Sequence, residues 1–220
     1  MQASEAEKPR IVILISGTGS NMVAIANAVK AEEIDAEIVG VISNRPTAEG
    51  LNKAQAMDLH TDLIDHTLYA SRDEFDHALI RMIEDLKPDL VVLAGFMRIL
   101  TADFTRYYEG RLLNIHPSLL PKYQGLNTHQ RALDAGDDTH GVTVHFVTEE
   151  LDGGPNAIQA IVPILDIDNA QQLQQRVHKQ EHVIYPIAVK WFCEGRLTMK
   201  GSEALLDYKA LPATGIQLES

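Results

Sequence analysis

Cysteine is nearly missing from this chain. Cys193 is the only one in 220 residues, so no internal disulfide can form, and the sequence suits a reducing cytosol. It stands in the apolar run I-A-V-K-W-F-C, where core packing is expected rather than nucleophilic chemistry. Positive charge is also short: 19 Lys and Arg face 31 Asp and Glu, a net charge of -12. Proteins that track nucleic-acid phosphates cluster Lys and Arg on one face, so no nucleic-acid partner is expected. Any anionic ligand must then be held by local devices. The opening M-Q-A-S-E-A-E-K-P-R has no apolar stretch, which excludes a signal peptide or membrane span there. It reads as a flexible tail over residues 1–9. Repeats, low-complexity blocks and linkers are absent too. One domain over residues 10–200 is expected, followed by a polar C-terminal tail at 201–220.

What is present is an alternation of strands and helices. Residues 10–16, R-I-V-I-L-I-S, form an unbroken β-branched run of the kind buried on both sheet faces. Further strands are expected at 36–43, 61–65 and 89–94, separated by helices at 48–59 and from the capping pattern at Ser71 to about 86. A short helix near 101–108 precedes a strand at 111–116. After it come a helix from Asn127 to near Gly136 and a strand at 141–147. A partner strand at 157–162 should pair with that one antiparallel. A long helix follows at about 168–193. The fold class is therefore α/β: a Rossmann-like open, mostly parallel twisted sheet with helices on both faces and an antiparallel C-terminal strand portion.

The chemistry concentrates in R-L-L-N-I-H-P-S-L-L-P-K-Y-Q-G, residues 111–125. Side chains alternate along a strand, so Asn114 and His116 emerge on one face. Pro117 should end the strand just beyond the imidazole, where open α/β sheets keep their sites. An amide donor and an imidazole can together stabilise an oxyanion or carry a proton. The alternative is a strand-end pair satisfied by local backbone bonds.

A second constellation is S-G-T-G-S-N, residues 16–21, between a strand and a helix starting near Ser20. Such a turn aims backbone N–H groups and the positive end of the helix dipole at one point, a phosphate cradle. A dinucleotide fingerprint would need a third Gly where Met22 stands and an acid after the next strand, which ends in Ser43, Asn44 and Arg45. A single phosphate fits better. His178, Glu181 and His182 match the H-x-x-E-H spacing of zinc peptidases, but no third ligand can be identified, and no metal is expected. Ser118 lacks a G-x-S-x-G elbow, so it reads as a turn residue. The loop T-E-E-L-D-G-G-P-N, residues 148–156, is either a solvated connection or a lid carrying Asp152 over the site. With Asn114 and His116, that carboxylate suits acyl transfer to an amine without a covalent enzyme intermediate.

These motifs, with V-L-A-G-F-M-R-I-L at 92–100, V-H-F-V at 144–147, L-D-G-G-P at 151–155 and Q-E-H at 180–182, closely resemble the phosphoribosylglycinamide formyltransferase family. The match runs in order over about residues 10–200. The resemblance implies formyl transfer from 10-formyltetrahydrofolate, as cosubstrate, to the amine of glycinamide ribonucleotide in purine synthesis. It assigns Asn114, His116 and Asp152 as the catalytic trio. Gly17, Thr18, Gly19, Ser20 and Asn21 would hold the substrate phosphate, and Glu181 the ribose. Met97, Arg98, Ile99, Leu100 and Val147 would line the folate pocket, with Arg72 and Arg98 near the folate's glutamate tail. The chain departs from the pattern at Gln124 and Asn127, and His178 lies outside it. Methionyl-tRNA formyltransferases add a C-terminal domain and formyltetrahydrofolate deformylases an N-terminal one, so length favours the purine enzyme. A noncatalytic nucleotide-binding module is the reading from another class. The expected partners are small molecules in the cytoplasm, without nucleic acid or membrane, and a homodimer is compatible with this reading.

Overall fold

The computed structural model describes residues 7–219. Its elements follow the expected alternation: β1 (Arg10–Ile15), α1 (Ser20–Lys30), β2 (Glu37–Ser43), α2 (Glu49–Ala56), β3 (Thr61–Leu63), α3 (Arg72–Asp85), β4 (Leu90–Leu93), α4 (Ala102–Tyr107), β5 (Leu112–His116) and α5 (Thr128–Ala135). Then come β6 (Thr139–Phe146), β7 (Asn156–Pro163), α6 (Ala170–Cys193), β8 (Leu197–Lys200), β9 (Glu203–Leu206), β10 (Lys209–Ala210) and β11 (Ile216–Glu219).

Eight strands form one sheet in the order β11-β7-β6-β5-β4-β1-β2-β3. The pairs β1–β2, β2–β3, β1–β4, β4–β5 and β7–β11 are parallel. Only β6 runs against its neighbours, β5 and β7. The mostly parallel sheet and its antiparallel portion are thus as expected. Chain order reverses between β1 and β4, and in such sheets a crevice opens beyond the strand ends at that switch point. The loops after β1 and β4 meet there: Met97 N donates to Ser16 Oγ at 2.7 Å, and Ser16 Oγ donates to Asn44 Oδ1 at 2.5 Å.

Burial explains why β1 has no polar alternation. Ile11, Val12, Ile13, Leu14 and Ile15 are all fully buried, and they divide between two cores. Ile11, Ile13 and Ile15 pack with α1 and α6 side chains, while Val12 and Leu14 pack with Phe75, Leu79 and Ile83 of α3 and Phe104 of α4. Each fully buried Ile or Leu contributes roughly 1.5–3 kcal/mol. On the first face, the buried Tyr185 of α6 places its hydroxyl 2.9 Å from Leu93 O and 3.0 Å from Leu113 O. That phenol pins the long helix across the seam of β4 and β5, next to Asn114.

Cys193 lies partly buried against the first core, and burial pushes its thiol up to about 12, which fits packing rather than nucleophilic chemistry.

The expected polar tail from residue 201 is not observed. Residues 203–206 and 209–210 close a small antiparallel sheet with β8. Its two-residue turn at Asp207 and Tyr208 takes φ of 50° and 66°, the left-handed pair that tight hairpins require. Arg196 clamps that turn through Asp207 at 2.8 and 2.9 Å. Residues 216–219 then join the main sheet as β11, with Ile216 and Leu218 against the first core. The expectation of a flexible tail over 1–9 falls largely on residues 1–6, which lie outside the described residues. Lys8 and Pro9 are tied down, the first 2.9 Å from Asp35 and the second accepting from Glu37 N at 2.8 Å.

Candidate active site

The sequence places Gly19 just before α1, and its φ of 71° is a conformation that side chains strain. A Cβ there would stand 2.7 Å from the Gly50 backbone, so the loop is pressed against the start of α2. Gly50 N also donates to Gly17 O at 2.9 Å. Gly19 supplies no side-chain cap to α1, whereas Ser71, Thr101 and Asn169 cap α3, α4 and α6. No side chain therefore competes with a ligand at the first turn of α1. Gly17, Thr18, Gly19, Ser20, Asn21 and Glu181 all border one cavity of about 300 Å³. Asn21 Nδ2 donates to Glu181 Oε2 at 2.7 Å, and Asn21 Oδ1 is buried without a protein partner. Glu181 is thus engaged by α1, and His178 Nε2 lies 2.8 Å from Ser20 Oγ. Of the three residues in the H-x-x-E-H spacing, His178 and Glu181 border this cavity and His182 does not.

Asn114 and His116 leave β5 on the same face, as their spacing required. The 148–156 loop brings Asp152 to them: its Oδ2 is 3.4 Å from His116 Nδ1 and accepts from Gly125 N at 2.9 Å. Asp152 takes φ of 50°, which Asp tolerates better than most residues. Gly154 permits the loop to close, since a Cβ there would collide with Phe146 O at 1.9 Å. The opposite ring nitrogen, His116 Nε2, is 2.9 Å from Tyr123 O. A carbonyl only accepts, so Nε2 carries a proton, and Nδ1 is the edge that faces Asp152. Gln124, one of the departures from the family pattern, donates through Nε2 to Asp152 O at 3.2 Å. The other, Asn127, precedes α5 with φ of 57° and makes no side-chain cap.

One residue that sequence reasoning passed over completes this network. His145 of β6 lies directly across the antiparallel ladder from Asn114. Burial pushes its pKa down to about 4, so the ring is neutral near pH 7. Its Nδ1 stands 2.9 Å from Phe146 O and must carry the proton; its Nε2 then accepts from Asn114 Nδ2 at 3.2 Å. The Asn114 amide is held with one N–H spent on His145 and the other available. The 3.9 Å separation between His145 Nε2 and Asp152 Oδ1 is no ion pair, because the ring is uncharged. V-H-F-V was visible in the sequence, but the pairing of His145 with Asn114 depends on a register between distant strands. His129 and Gln174, which also border the cavity at α1, carried no local signal.

The folate-assigned residues form a more open group. Met97 and Ile99 are 57% and 58% exposed, an apolar lip on the loop after β4. Leu100 and Val147 pack against the second core. The Arg98 guanidinium lies over the Phe75 ring at 5.0 Å, three residues along α3 from the exposed Arg72. None of these six residues borders the cavity at α1.

An open α/β sheet with an amide, an imidazole and a carboxylate converging at the end of β5, near an uncapped helix, has the groups of an enzyme that transfers a group between small molecules. Comparison with known proteins narrows that class. A family profile described as formyl transferase matches residues 9–189, and the chain belongs to the formyl transferase family. It is 50% identical to Escherichia coli phosphoribosylglycinamide formyltransferase over 93% of this chain and 97% of that one. The human trifunctional purine biosynthetic protein adenosine-3 is 42% identical over 89% of this chain, a match covering 19% of the human protein. Among solved structures, that of Coxiella burnetii phosphoribosylglycinamide formyltransferase superposes with a TM-score of 0.92, at 48% identity, over 96% of this chain and 99% of that one.

Proposed function

We propose that this chain transfers the formyl group of 10-formyltetrahydrofolate to the amine of glycinamide ribonucleotide, a step of purine biosynthesis. The observation that carries the reading is the convergence of Asn114 and His116 from the end of β5 with Asp152 from the 148–156 loop, beside the cavity at α1. Both small molecules are substrates, and no metal is required. The substrate phosphate sits at residues 17–21 and the ribose at Glu181. The reduced folate lies against Met97, Arg98, Ile99, Leu100 and Val147, with Arg72 and Arg98 toward its acidic tail.

In this reading the amine attacks the formyl carbon directly, and a tetrahedral oxyanion forms. The free N–H of Asn114 and the Nδ1–H of His116 stabilise that oxygen. Asp152 orients the imidazole and supports the proton on Nδ1. Collapse breaks the bond to the folate nitrogen, which regains a proton as the attacking amine loses one, and ordered water can relay it. Among the residues gathered here, no nucleophile is placed to form a covalent intermediate. Remote binding of the phosphate holds the amine in position for attack. The net charge of -12 supports small-molecule substrates over nucleic acid, and in this reading the enzyme acts in the cytoplasm.

The test is the release of tetrahydrofolate from 10-formyltetrahydrofolate with and without glycinamide ribonucleotide. Turnover that depends on the ribonucleotide, and is lost in Asn114→Ala, is the expected result. Binding of ligands without turnover would leave only a nucleotide-binding module.

A further inference from the structure

The cavity at α1 has a charge deficit for the ligand assigned to it. Its polar side chains are Thr18, Ser20, Asn21, His129, Gln174, His178 and Glu181, and among the described residues lining it there is no lysine or arginine. A phosphomonoester carries about -1.5 to -2 at pH 7, and Glu181 adds a carboxylate. The dipole of α1 offsets only about half a charge. Lys53 approaches from behind the loop, where its Nζ donates to Thr18 O at 2.8 Å and lies 3.9 Å from Glu49. Two imidazoles are therefore the only lining side chains that can become positive.

His178 is the better placed of them. Its Nε2 is 2.8 Å from Ser20 Oγ, at the turn whose N–H groups face the ligand. Its side chain is 45% exposed, so protons can exchange with solvent. We infer that His178 is a phosphate ligand that takes up a proton when the phosphorylated substrate binds, supplying the cation that the cavity otherwise lacks. This rests on the reading above that the substrate carries a phosphate.

The surrounding groups fix the sign. On α6, Glu181 Oε2 is 3.7 Å from His178 Nε2, and the His182 ring is 4.8 Å away between centroids. From α1 it faces Ser20 and Asn21, which do not titrate in the neutral range, and from α5 it faces His129 across the cavity. Burial holds both His129 and His182 below the ordinary imidazole value, so they stay neutral and repel little. Glu181 and the incoming dianion both attract a proton to His178. Above pH 7, where a free imidazole is mostly neutral, binding must draw that proton from solvent, so affinity falls as pH rises. Below about pH 6 the phosphate itself gains a proton, and affinity falls again.

Ribose 5-phosphate is the suitable probe, because it has no amine to confuse the proton count. Calorimetric titration at pH 7.5 in two buffers of different ionisation enthalpy should show uptake approaching one proton per ligand. The dissociation constant should rise between pH 7 and 9, by up to about tenfold per unit. His178→Gln keeps a hydrogen-bonding group near Ser20 but cannot titrate. It should abolish the uptake, flatten the alkaline limb and raise KM for the ribonucleotide, whereas His129→Gln should keep the uptake. Absence of uptake in the unaltered protein, or equal uptake in His178→Gln, would overturn the inference. Formyl-transfer assays on the same preparation separate the two claims: turnover without uptake removes only the role of His178, and no turnover removes the proposed function itself.

Discussion

The two halves of the site are built from different materials. At α1 the chain relies on backbone: a glycine at positive φ, an uncapped helix start, and a loop pressed to within a Cβ's width of Gly50. At the end of β5 it relies on side chains: Asn114 held by His145, His116 tethered between Tyr123 O and Asp152, and Asp152 held by Gly125 N. A backbone site is broken by adding atoms, and a side-chain site by removing a donor or a charge. Binding should therefore fail first at α1 and chemistry first at β5.

The largest effect is expected at Asp152. Asp152→Asn keeps the size but removes the charge that stands 3.4 Å from His116 Nδ1. A loss on the order of 100-fold in kcat should follow, with KM for both substrates little changed, because the interaction matters chiefly in the transition state. Steady-state kinetics decide this; near-normal kcat would return Asp152 to the rank of a loop residue.

Gly19→Ala should act in the opposite way and more weakly on the chemistry. The new Cβ meets the Gly50 backbone at 2.7 Å and demands a strained φ, so the loop or α2 must shift. Stability should drop by about 1–3 kcal/mol in urea unfolding, and KM for the ribonucleotide should rise severalfold while the folate KM holds. A variant of unchanged stability and unchanged ribonucleotide KM would show that the close approach does not set the cradle.

The contrast also explains what could be read in the sequence. Period-two spacing put Asn114 and His116 on one face, and the β-branched run of β1 with its glycine turn announced the cradle, because those signals are local. The class of fold followed from the same alternation. His145 was out of reach, since its role depends on the β5–β6 register. The strands after residue 201 were missed because each is short. The apolar side of I-Q-L-E gains meaning only when it pairs with β7, whose partner residues 158–161 lie far back in the chain. The helix at α2 ends at Ala56 rather than 59, as Asp58 turns to φ of 59°. The exposed positions of Met97 and Ile99 are likewise a property of the assembled loop, which Ser16 ties to β1.

The central claim is that the trio delivers the formyl group to an amine rather than to water, and the fate of a labelled formyl carbon tests it most directly. With both substrates present, single-turnover mixing should place the label in formylglycinamide ribonucleotide, with little formate formed and almost none released when the ribonucleotide is withheld. Label recovered as formate at the same rate with or without the ribonucleotide would contradict the account, and the deformylase alternative would take its place.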